Sequence, residues 1–181
     1  MKHFIYIVLL VAFVACEGPE PRHPVKRNTT SKLQAAIERS KKLLAAEEFM
    51  IKSIIAKDST KNYQQSTSGS WYFYVKKNTG EVALAQPEDL VTMTYNVISL
   101  DNDTIYRMQD IGIIKYKVDK QELFPGLRNA VKLLKENETA TFLFPSSLGY
   151  GVPGDGDKIG INTPLKSTIA ILKIEKQKDS I

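Results

Sequence analysis

The sequence predicts an α+β fold, an antiparallel β-sheet wrapped on one short helix and preceded by a long N-terminal helix. Three observations predict it. Apolar residues recur at helical spacing from Leu33 to Ile54; from Trp71 the chain changes to short alternating runs; and one later stretch, after Pro125, returns to the helical period. At 181 residues and 43% apolar composition the chain buries one sizeable core and is short for two ordinary domains.

The elements follow in order. Lys2 and His3 precede an unbroken apolar run from Phe4 to Ala15, twelve residues that suit the core of a signal peptide and fall short of the roughly 20 a spanning helix needs. Residues 1–15 are therefore expected to be a signal peptide. The run ends at Val14-Ala15-Cys16, and Cys16 is the only cysteine, so no disulfide partner exists for it. The segment EGPEPRHPVKRN from Glu17 to Asn28 has three prolines and no apolar period, which makes residues 16–30 a tether.

Thr29, Thr30 and Ser31 are N-cap candidates for a helix over residues 31–57, with Leu33, Ile37, Leu44, Ile51 and Ile54 on one stripe. Ser40 and Glu47 interrupt that stripe, which is narrow. The helix is thus expected either to lie on the domain or to pair with a second copy as a homodimer. A polar stretch ending in Ser-Gly-Ser then leads to the main domain, over residues 69–177.

Strands are expected at Trp71 to Val75, Glu81 to Ala85, Leu90 to Leu100, Thr104 to Met108, Ile113 to Val118, Thr139 to Pro145 and Ser167 to Lys176. Val91, Met93, Tyr95 and Val97 alternate onto one face. The single later helix starts at Pro125, where the missing N–H costs nothing, and Leu127, Ala130, Val131, Leu133 and Leu134 give it an apolar face up to Glu136-Asn137.

Composition removes several function classes. The net charge of +5 comes from 25 basic and 20 acidic residues that are interspersed, which describes a solvated surface and gives no basic run for nucleic acid. The two histidines, His3 and His23, lie in the signal and the tether. No Cys/His cluster or glycine-rich loop opening a helix is present, so no metal site, no cofactor and no histidine-dependent acid–base chemistry are expected in the domain.

Two stretches carry a specific resemblance. The first runs Gln121-Glu122-Leu123-Phe124-Pro125-Gly126-Leu127, through the helix and the turn Lys135-Glu136-Asn137-Glu138, into Thr139-Ala140-Thr141-Phe142-Leu143-Phe144-Pro145. The second is Leu148-Gly149-Tyr150-Gly151, a glycine-rich loop to Ile159 and a last strand ending Ile171-Leu172-Lys173-Ile174. In this order they resemble FKBP-type peptidyl-prolyl isomerases from about Asp89 to Lys176, with Val91 to Leu100 similar to that family's strand bearing an inward tyrosine. Val14-Ala15-Cys16 resembles a bacterial lipobox. With the N-terminal helix and the Trp71 strand, the chain resembles the gliding-motility-associated lipoprotein branch of the family.

The resemblance implies a fold, a reaction and a site. The reaction is cis–trans isomerisation of bonds preceding proline, with proline-containing exported proteins as clients, among them components of a gliding or secretion apparatus. It implies Tyr95, Phe124 and Tyr150 as catalytic residues and Ile105, Tyr106, Ile114, Leu123, Leu127 and Ile159 as substrate-binding residues. Cys16 would carry the lipid, palmitate included, and hold the protein on the outer membrane facing the periplasm, since several acyl chains at about 0.8 kcal/mol per buried methylene anchor far better than one.

Departures from the family pattern point to weaker catalysis and weaker binding of the family's macrolide drugs. Ile105-Tyr106 stands where Phe-Asp is usual, so the customary pocket carboxylate is missing. Ile114, Leu127 and Ser167 each replace a customary aromatic. The same departures leave a second reading, a non-catalytic chaperone or assembly subunit built on the same sheet and helix.

Overall fold

A computed structural model describes residues 29–177 of the chain. The expected signal peptide, tether and lipid site at Cys16 lie outside the described residues. The chain divides after Ile37 into two units. In the first, the described residues are helical turns from Thr29, with Leu33 and Ile37 exposed. The second, from Glu38, holds the rest of that helix, the sheet and the shorter helices.

Helix α1 spans Thr29–Lys57, two residues earlier than its expected start. The strands are β1 Gln64–Gln65, β2 Trp71–Lys76, β3 Leu90–Tyr95, β4 Val97–Ser99, β5 Thr104–Tyr106, β6 Ile114–Lys117, β7 Thr139–Phe144 and β8 Leu165–Glu175. Between them lie the one-turn helix α2 Met108–Ile111, helix α3 Pro125–Val131 and a 3₁₀ turn Ser146–Leu148. All pairings are antiparallel in the order β1-β2-β7-β8-β3-β6, and β4 bridges β5 to β8.

Strand alternation sorts residues onto two faces. Ala140, Phe142 and Phe144 of β7, Val91, Met93 and Tyr95 of β3, and Leu165, Ile169 and Ile171 of β8 enter the main core with Leu127, Ala130 and Val131 of α3. Leu143 points the other way and pairs across the ladder with Trp71, and Ile51 of α1 covers both. The second half of α1 is therefore laid on the sheet face opposite α3. Glu47, one of the two breaks in its apolar stripe, is buried there and its Oε2 accepts the Ser146 N–H at 2.8 Å.

The structure corrects several expected elements. Residues 81–85 form no strand, because Gly80 and Pro87 confine the segment and only Ala85 of its alternating set is buried. The strand expected from Leu90 to Leu100 breaks at Asn96, whose side-chain Oδ1 accepts the Thr168 N–H at 2.7 Å and whose C=O accepts the buried Ser167 hydroxyl at 2.6 Å. Helix α3 ends at Val131, five residues before its expected end. Its last bonds tighten to the i−3 type, Lys132 N–H to Asn129 and Leu133 N–H to Ala130, which lets Leu134 drop into the core. The two-residue β1 and the turn α2 are too short for any periodic signal.

Candidate functional site

The end of β3, the segment leading into α3 and the turn after β7 enclose an open hollow of about 450 Å³. Tyr95, Leu123, Phe124 and Tyr150 line it, with Glu122, Pro125 and Gly149 beside them and Pro153 and Gly154 on the facing lip.

Phe124 is the centre of this wall. It occupies the N-cap of α3 in extended conformation, φ −61° and ψ 147°, and spends its carbonyl on the N–H groups of Leu127 and Arg128 at 3.0 and 3.2 Å. Its side chain makes no capping bond, so the ring enters the aromatic cluster instead. It meets Tyr95 edge-on at 6.3 Å, Phe144 edge-on at 5.7 Å and Tyr150 tilted at 5.2 Å, separations at which aromatic pairs attract. Gly126 makes the approach feasible, because a Cβ there would sit 2.6 Å from Phe144 Cδ1 and 2.7 Å from the Leu148 carbonyl oxygen.

Tyr150 is presented by a tight turn. Leu148 N–H donates to Pro145 at 2.9 Å, and Gly149 and Gly151 N–H both donate to Ser146 at 3.0 Å. The Ser146 amide donates to Glu47, so α1 braces the base of the turn that carries Tyr150. Burial pushes the Tyr150 hydroxyl up to about 12, aided by Tyr95 and the Asp155 charge, and burial likewise raises Tyr95. Both phenols are held as neutral O–H groups at ordinary pH. The carboxylate of the wall, Glu122, has a 95% exposed side chain and pairs with Arg128 at 3.8 Å. The centre is thus an apolar aromatic recess with hydroxyl donors at its edge.

Four expected site residues, Tyr95, Leu123, Phe124 and Tyr150, come together on the wall. Leu127 and Ile159 are buried in the core, and Ile105, Tyr106 and Ile114 pack against it half-buried, so these five stand behind or beside the hollow's lining. Pro153 and Gly154 were legible only as part of a glycine-rich loop. Asp155, which the fold brings to Tyr106 across 49 residues at 2.5 Å, has no sequence signal connecting it with that position.

Fold and hollow together define an α+β domain with a peptide-sized aromatic recess and no nucleophile on its wall. A profile of the FKBP-type peptidyl-prolyl cis-trans isomerases matches residues 82–172, and the chain belongs to that family. It is 33% identical over 129 residues to the probable FKBP-type peptidyl-prolyl cis-trans isomerase FkpA of Neisseria meningitidis serogroup B, a match covering 70% of this chain and 44% of that relative. The chain thus spans under half of the curated relative it matches.

Two solved structures share the fold. FkpA from Escherichia coli aligns with a TM-score of 0.59 at 18% identity, over 97% of this chain and 82% of that one. A peptidyl-prolyl cis-trans isomerase from Pseudomonas syringae pv. tomato aligns with a TM-score of 0.59 at 17% identity, over 76% of this chain and 96% of that one.

Proposed function

We propose that this protein is a peptidyl-prolyl cis–trans isomerase acting on exported proteins. The observation that carries the reading is the Phe124 ring held among Tyr95, Phe144 and Tyr150 at the wall of the hollow. Rotation about the bond before proline is opposed by a barrier of roughly 20 kcal/mol that arises from amide resonance, and no covalent bond breaks. Such a reaction needs no acid, base or nucleophile. A recess that strips water from the planar, charge-separated amide disfavours the ground state relative to the twisted one, and an O–H donor such as Tyr150 holds a substrate carbonyl during the turn.

The apolar run before Cys16 supports export and attachment by lipid, with palmitate among the acyl groups and the outer membrane, facing the periplasm, as the site. Clients are then exported chains whose folding waits on proline, with gliding or secretion components among them. The exposed Leu33, Ile37 and Leu44, on the stripe of α1 before Glu47, support a homodimer through that helix.

A proline-limited refolding assay tests the activity. The protein accelerates the slow phase, and Phe124→Ala or Tyr150→Ala each removes most of that acceleration while leaving the protein folded. Binding of proline peptides with no acceleration would instead establish the non-catalytic module that Ile105-Tyr106 favours.

A further inference from the structure

We infer that Tyr106 and Asp155 form a latch that fixes the lip of the hollow, making both positioning residues for the proline-peptide site. The inference rests on the hollow being that site. Tyr106 ends β5, on the sheet, whereas Asp155 follows Pro153 and Gly154, the two residues that form the lip. The Tyr106 hydroxyl donates to Asp155 Oδ2 at 2.5 Å and lies 3.3 Å from Asp157 Oδ2.

The other oxygen of Asp155 works inside the loop. Oδ1 accepts the N–H groups of Asp157 at 2.9 Å and Ile159 at 2.7 Å, and the Asp155 N–H donates to the Ile159 carbonyl at 3.1 Å. Gly154 lies so close to the returning strand of the loop that a Cβ would stand 2.3 Å from the Ile159 oxygen, with φ at +66° besides. One carboxylate therefore sets the shape of the loop with one oxygen and its attachment with the other.

Among the described residues, Tyr106 hydrogen-bonds residues 152–160 from the sheet, and Thr163, just past the loop, donates its hydroxyl to the Gly160 carbonyl at 3.0 Å. Lys158 adds to the grip, its ammonium 4.9 Å over the Tyr106 ring. The apolar anchor is Ile159, buried in the core. Ile159 sets the depth of the loop, and the Asn162 N–H to Gly151 carbonyl bond at 2.8 Å closes its base. The Tyr106 bond ties the Gly154–Asp155 side to the sheet and so sets where Pro153 and Gly154 stand relative to Phe124.

A carboxylate is thus delivered to the edge of the hollow from the loop after Tyr150, and a tyrosine on the strand side receives it. Burial acts to raise the Asp155 carboxyl, but the Tyr106 hydroxyl and the Asp157 and Ile159 N–H groups hold it below the ordinary range. The latch is consequently charged and closed at neutral pH.

The test is a double-mutant cycle on the full protein with Tyr106→Phe, Asp155→Asn and the pair. It reads KM and kcat for a proline peptide, the dissociation constant for the same peptide, and amide hydrogen exchange at Asp157 and Ile159. Because the latch touches no reacting atom, Tyr106→Phe raises KM and the dissociation constant roughly three- to tenfold, the range expected for one lost hydrogen bond to a charged group at a partly exposed site. Its kcat stays near the parent value, and exchange at Ile159 quickens. The double variant is no worse than Asp155→Asn alone.

Additive losses, or a Tyr106→Phe protein with parental peptide affinity and parental Ile159 protection, would overturn the latch. Catalytic failure of the parent counts against the isomerase reading alone, because peptide affinity and amide exchange still decide the latch.

Discussion

At the scale of single residues, the site depends on backbone economy around Phe124. Its carbonyl starts α3, the proline after it needs no partner, and Gly126 lets the helix close on Phe144, so one short run sets both the helix and the ring. Gly126→Ala is expected to overpack that contact at a cost of about 1–3 kcal/mol in urea unfolding, and to weaken peptide binding because Phe144 must shift under Phe124. Unchanged stability would show that the contact is slack. This part of the site was legible, since Leu123-Phe124-Pro125-Gly126 and Leu148-Gly149-Tyr150-Gly151 are contiguous motifs. The places of Leu127 and Ile159 behind the lining were less so, because sequence marks both as apolar without saying which apolar residues are covered by others.

At the scale of elements, α1 shows what periodicity gives and withholds. The stripe of Leu33, Ile37, Leu44, Ile51 and Ile54 predicts a helix with one working face, and Ile51 and Ile54 of that stripe pack on the sheet with Trp71 and Leu143. Glu47 reads in sequence as a defect in that stripe. In the fold it marks where docking begins, because its carboxylate closes the Ser146 amide that no strand or helix satisfies. Glu47→Ala leaves that buried N–H unpaired and is expected to cost roughly 1–3 kcal/mol. Glu47→Gln keeps an acceptor and costs less. Equal stability of the two variants in chemical denaturation would dismiss the role. The break at Asn96 was not legible, because the side-chain bonds with Thr168 and Ser167 that make it come from more than 70 residues away.

At the scale of the whole molecule, β8 lies between β7 and β3 and ties the last strand to the first half of the domain. Asp89, 2% exposed, fastens the far end of that seam, accepting from Gln86 N–H at 2.7 Å, Lys176 Nζ at 2.9 Å and Gln177 N–H at 2.9 Å. Burial acts to raise its carboxyl, and these three donors outweigh it and hold it low. A carboxyl lower in the folded than in the unfolded chain contributes stability above the unfolded value, about 4, and loses it as the pH falls through the folded one. Acid titration of stability should therefore slope less steeply in Asp89→Asn than in the parent. An identical slope would remove Asp89 from the account. The antiparallel sheet wrapped on one short helix was legible in the sequence, whereas the Asp89 seam and the Tyr106–Asp155 bond, joining residues far apart in sequence, were not. Two-dimensional exchange NMR on a proline peptide with substoichiometric protein reads cis–trans interconversion itself and so tests the isomerase activity most directly. Exchange cross-peaks are expected with the parent, largely lost with Phe124→Ala, and peptide-induced shifts are expected to be confined to Tyr95, Phe124 and Tyr150 and their neighbours. Shifts at those residues without exchange, or exchange that survives Phe124→Ala undiminished, would contradict this reading of the site.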